Sequence, residues 1–97
     1  MITTKQRAYL RTLSNGLDAL YQTGKIGITE TVIKTLDDAL EAREIIKISV
    51  LETSPLSPRE VITLLCEKLG CDPVQVIGRK VVVYRPSREE PKIVLPK

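Results

Sequence analysis

The apolar positions of this 97-residue chain change period several times, and each change marks an element. Tyr9, Leu10, Leu13 and Leu17 fall on one side of a helix, with Thr3 and Gln6 spaced as a capping box ahead of it and Asn15-Gly16 as a stop. Residues 19–22 form a short strand candidate. Helical spacing returns at Val32, Ile33, Leu36, Ala39 and Leu40, which predicts a helix from about residue 30 to 42. Lys34, Asp37, Asp38 and Glu41 then face solvent. Residues 44–51 are β-branched and alternate, so Ile46, Ile48 and Val50 share one face of a strand, with Lys47 and Ser49 on the other. Ser57-Pro58-Arg59-Glu60 supplies a cap, a proline at the first helical position and an acid that completes a capping box. Val61, Ile62, Leu65, Cys66 and Leu69 are the buried face of that helix, and Gly70 ends it.

Residues 73–77 and 80–84 read as strands joined at Gly78-Arg79, where a glycine in the first turn position suits a type II′ hairpin. Residues 86–97 are rich in proline and charge and are expected to be an extended tail. Within it, Ile93-Val94-Leu95 either docks on the core or adds an edge strand. The order is α-β-α-β-α-β-β within one domain spanning 1–97. It predicts an α/β (α+β mixed) fold, a mixed sheet of about four strands packed with three helices. The first two strand–helix–strand units should be parallel and right-handed, and the last pair antiparallel.

One junction stands apart from this scaffold. Gly24-Lys25-Ile26-Gly27 leads from the first strand into the second helix, with Thr29 as N-cap and Glu30 just inside. Ile28 and Ile33 are placed for a hydrophobic staple. Such a turn aims backbone amides and a helix dipole at one place, and Lys25 adds a charge, so phosphate is a natural ligand. The spacing alone is also met by a turn that needs glycine for its backbone and nothing more.

Composition narrows the chemistry. There is no histidine, which removes the usual general base, the Ser-His and Cys-His nucleophiles and the common zinc sites. Cys66 and Cys71 are too few for a disulfide framework and read as bystander thiols. No catalytic residue, metal, cofactor or small-molecule substrate is expected. No apolar run approaches a membrane span and the first residues lack a signal-peptide pattern, so a cytoplasmic protein is expected. A net charge of +3 tilts the surface mildly toward polyanions. Lys5, Arg7 and Arg11 lie about a turn apart on the first helix, with no acid among them.

Leu10-Arg11, the Gly24–Thr29 run, Glu44-Ile45-Ile46-Lys47, and Val74-Gln75-Val76-Ile77-Gly78-Arg79 continuing to Tyr84-Arg85-Pro86-Ser87 together resemble a YhbY-type CRM domain, the chloroplast RNA splicing and ribosome maturation domain. Thr23 and Tyr21 stand where that family usually has aliphatic residues. The resemblance implies a fold related to the C-terminal domain of translation initiation factor three. It also implies RNA as the partner, in particular ribosomal RNA or a precursor of the large ribosomal subunit. The GxxG loop resembles that of KH domains, which holds an RNA backbone. Carried over, the binding residues are Gly24, Lys25, Ile26 and Gly27, with charge from Lys5, Arg7, Arg11, Lys47, Arg79, Lys80 and Arg85. A monomer is expected. A protein–protein adaptor, or a nucleotide-binding module using the same turn, are the alternatives. The second lacks Walker and GxGxxG patterns, and the first would need an exposed apolar patch.

Overall fold

A computed structural model describes residues 2–96. The elements are α1 (Thr4–Ser14), β1 (Tyr21–Thr23), α2 (Glu30–Arg43), β2 (Ile45–Val50), α3 (Pro58–Leu69), β3 (Asp72–Ile77) and β4 (Lys80–Tyr84), in the expected order. The first strand begins two residues later than the sequence suggests, at Tyr21. The helix starts follow local chemistry. Thr3 and Ser57 make reciprocal capping boxes with Gln6 and Glu60, and Thr29 accepts a hydrogen bond from the Val32 amide. α3 stops at Gly70, which takes the left-handed conformation with φ 64°.

The strands form one sheet in the order β1-β2-β4-β3, with β1 parallel to β2 and β4 antiparallel to both β2 and β3. β2 and β3 therefore run the same way, with β4 inserted between them. At the hairpin tip Gly78 has φ 56° and Arg79 does not share a positive φ, the sign pattern of the II′ turn.

The pleat sorts residues onto two faces. Ile46, Ile48, Val50, Val81 and Val83 pack with Leu36, Ala39 and Leu40 of α2 and with Val61, Ile62, Leu65 and Leu69 of α3. On the opposite face Ile45, Val74, Val82 and Tyr84 pack with Ile2 and Leu10, and Leu17, Ile93 and Leu95 close the edge. The tail thus docks on the core and adds no strand. Of the residues placed toward solvent on α2, Asp37 and Glu41 are instead half-buried beneath the segment that follows β4.

Candidate nucleic-acid interface

β1 and β2 both end, and the β3–β4 hairpin turns, at one end of the sheet. The registers set Thr23 beside Val50, Ser49 beside Lys80 and Lys80 beside Ile77. The Gly24–Gly27 turn, the 51–57 loop and the Gly78-Arg79 tip therefore share that end.

Gly27 is favoured by its backbone, and both glycines pack closely against the segment after β2. The Gly27 amide donates to the Gly24 carbonyl at 2.9 Å, closing a four-residue turn. Gly27 is buried with φ 79°, and a Cβ there would lie 3.2 Å from Pro55 Cγ. A Cβ on Gly24 would lie 3.2 Å from Leu51 Cδ1 and 3.4 Å from Thr53 Oγ1. Close approach to the 51–55 segment pushes the middle of the turn outward. Lys25 is exposed and Ile26 is 83% exposed. The Lys25 and Ile26 amides find no acceptor among the described residues, whereas the Gly27 amide is used inside the turn. Among the described residues, the loop amides left without an acceptor are thus those of the two central residues.

Arg79 is fixed beside this turn. Its Nε donates to the Val50 carbonyl at 2.8 Å and its Nη2 to the Leu51 carbonyl at 2.9 Å, while the Val50 amide donates to the Arg79 carbonyl. Neutral carbonyls orient the guanidinium without cancelling its charge. Lys80 is exposed next to it. Lys47 is half-buried in mid-strand on the α1 side of the sheet, two residues farther from the loop than Ser49.

The remaining basic residues separate. Arg7 Nε donates to the Pro73 carbonyl at 3.0 Å. Pro73 is at the start of β3, four residues from Ile77, so roughly 13 Å along the strand from the loop end. Lys5 lies in the first turn of the same helix and Arg11 one turn beyond Arg7, exposed. Lys5 and Arg7 thus stand apart from the loop, and Arg11 lies one helical turn nearer to it.

Arg85 is a correction: it is 7% exposed, below the surface on which an RNA ligand must lie. Its guanidinium pairs with Asp37 and lies 3.6 Å from Glu41, and it also donates to the Asp37 and Leu69 carbonyls. Around it the segment after β4 is clasped to α2. Ser87 Oγ donates to Glu41 Oε2 at 2.6 Å, and the Arg88 amide donates to the same carboxylate. Glu44, 1% exposed and in a left-handed conformation with φ 68°, accepts from the amides of Ser87, Lys92 and Ile93 at 2.9, 2.7 and 2.8 Å. Burial opposes the ionisation of Glu44, but these three amides and the Lys92 charge outweigh it and hold the carboxyl below its ordinary range. Glu41 is held low chiefly by the Ser87 hydroxyl and the Arg88 amide. The sequence carried a signal of this: Asp37 and Glu41 at i and i+4 make an acidic stripe on α2, with Glu44 at its C-cap, ready for an arginine.

The thiols of Cys66 and Cys71 stay within the packing at the end of α3. Cys71 is buried and donates to the Leu65 carbonyl. Among the described residues no cluster of Cys, Asp and Glu could hold a metal ion, and no helix is long and apolar enough to cross a membrane.

Residues 2–85, which include every helix and strand, match the model of the CRS1/YhbY (CRM) domain. The chain belongs to that family. It is 38% identical over 96 residues to the "Probable RNA-binding protein YqeI" of Bacillus subtilis, covering 99% of this chain and 100% of the relative. It is 34% identical to an "RNA-binding protein" of Haemophilus influenzae, covering 99% and 96% of the two chains. The solution structure of the Staphylococcus aureus hypothetical protein SAV1595 superposes with a TM-score of 0.74 at 43% identity, covering 99% of this chain and 100% of that one. Thr23, one of the two departures from the family pattern, is 3% exposed, and its hydroxyl has no hydrogen-bond partner. An aliphatic side chain would leave no such group stranded in this CRM domain.

Proposed function

We propose that this CRM domain binds RNA at the loop end of its sheet. The phosphate backbone sits against Lys25 and the central amides of the Gly24–Gly27 turn, with Arg79 and Lys80 beside it. The observation that carries this is the turn itself. Its glycines pack closely against the 51–55 segment, while Lys25 and Ile26 are held out into solvent, their amides without an acceptor among the described residues. Nothing in folding requires a lysine and an isoleucine at that tip, and a cation near a helix N-terminus is mildly unfavourable until an anion arrives. The names of the relatives in Bacillus subtilis and Haemophilus influenzae support RNA as the anion. Ribosomal RNA within a large-subunit precursor is the RNA we assign, bound in the cytoplasm by a monomer that holds RNA and does no chemistry on it.

The test is Lys25→Glu, with RNA affinity and melting midpoint measured on one sample by fluorescence anisotropy and circular dichroism. Stability should stay within about 0.5 kcal/mol, as for an ordinary surface change. Affinity for a ribosomal RNA fragment should fall at least about tenfold, because a phosphate contact becomes a repulsion. Wild-type affinity should itself drop by roughly two to three decades between 50 and 200 mM salt if about 4–6 phosphates are neutralised. Full affinity in a folded Lys25→Glu protein would place the RNA surface away from the loop.

A further inference from the structure

The α1 side of the sheet is only partly covered. α1 reaches as far as Gln75, whose Oε1 lies 3.5 Å from Ser14 Oγ at the helix end. Gln75 pairs with Val82 and Val82 with Lys47, so the helix stops over that row. The next row toward the loop crosses all four strands: Gln22 beside Ser49, Ser49 beside Lys80, Lys80 beside Ile77. No element lies over it. Gln22 and Lys80 are exposed, and Ile77 is 52% exposed. Beyond this row Leu51, 41% exposed, continues the alternation of β2, and its side chain lies against Gly24, which joins the surface to the GxxG turn. Leu20, 60% exposed, adjoins on the other side, where it and Lys47 line one shallow hollow.

Three exposed large apolar side chains, Leu20, Leu51 and Ile77, are thus interleaved with Lys47, Lys80, Gln22 and Ser49 on one open surface. The row contains no acid, and Asp18 and Glu52 stand at its borders. We infer that this open end of the sheet carries the unpaired bases of a single-stranded RNA segment whose backbone is held by the Gly24–Gly27 turn. Lysines about 4–5 Å from apolar side chains, as neighbouring strands place them, suit a strand that offers phosphates and base faces alternately. A closed duplex hides its base faces and cannot use Leu51 and Ile77. Gln22 and Ser49 supply donors and acceptors for base edges. The inference rests on the RNA-binding reading and adds to it the class of RNA and the face it crosses.

The experiment measures anisotropy of a labelled unpaired ten-nucleotide RNA and of a duplex of the same length. The proteins are wild type, Lys80→Glu, Ile77→Asp, Lys5→Glu and Lys25→Glu. The expected result is preference of the wild type for the unpaired strand. Lys80→Glu and Ile77→Asp, both at exposed positions, should each lose roughly fivefold to tenfold of that affinity, with little change in melting midpoint. Lys5→Glu, in the first turn of α1 and away from the loop, should bind within about twofold of wild type. Wild-type affinity for the unpaired strand in Ile77→Asp, with loss in Lys25→Glu and Lys80→Glu, would overturn the inference and leave the loop reading standing. Loss in the sheet variants with full affinity in Lys25→Glu would overturn the loop reading and, with it, an inference that holds the backbone at the turn. Unchanged RNA binding together with loss of self-association in Ile77→Asp would show the patch to be a protein contact and overturn the inference equally.

Discussion

The two ends of this sheet treat charge in opposite ways. At the clasp end Arg85 is buried against Asp37 and Glu41, and Glu44 is buried beneath three tail amides, so charge holds the segment after β4 onto α2. At the loop end Arg79 is oriented by the Val50 and Leu51 carbonyls, and Lys25 and Lys80 point outward, so charge stays available. Both ends contain an arginine next to a turn or proline. What separates them is whether acids converge on it. At the clasp end an acidic helix stripe cancels the arginine and makes it structural, while at the loop end only neutral carbonyls meet it and its field reaches solvent.

The largest effect should come from the clasp. Glu44→Ala leaves three amides without their buried acceptor and should cost about 3–5 kcal/mol, read from urea unfolding. The same contacts set an acid limit. Glu44 and Glu41 have folded pKa values depressed below their ordinary 4.5. Their contribution is therefore fully present above that value and is lost as pH falls through the lower folded values. Melting midpoints should decline below about pH 4.5, and less steeply in Glu44→Gln. An acid profile identical in the two proteins would mean that the tail is not held by this carboxylate.

Gly27→Ala is the corresponding break at the loop end. With φ 79° and Pro55 Cγ 3.2 Å from the added Cβ, it should cost about 1–3 kcal/mol and weaken RNA binding too. Glu44→Ala in its folded fraction should leave RNA affinity alone, so the pair separates the two ends by function as well as by stability. The smallest change has the opposite sign. Thr23→Val removes a buried hydroxyl that has no partner and should raise stability by about 1 kcal/mol, seen as a higher melting midpoint with unchanged affinity.

The sequence alone determined the elements and their order, because periodicity, caps and turn glycines act over a few residues. Thr3, Thr29, Ser57, Gly70 and Gly78 each do in the structure what their neighbours in the chain imply. The outward tip at Lys25-Ile26 was legible for the same reason. What only the tertiary structure decided is which charges remain free and which face remains open. Arg85 and Arg79 look alike in the chain; they differ because α2 brings Asp37 and Glu41 to one of them across more than forty residues. Arg7 and Arg11 share a helix face that Lys5 does not, and the packing of α1 along β3 sets Lys5 and Arg7 apart from the loop. Leu20, Leu51 and Ile77 belong to the strand candidates with nothing in the chain to mark them as exposed, and the point where α1 stops leaves them in solvent. Burial and pairing depend on contacts between distant segments, so a local pattern can name a residue's chemistry without telling what will meet it.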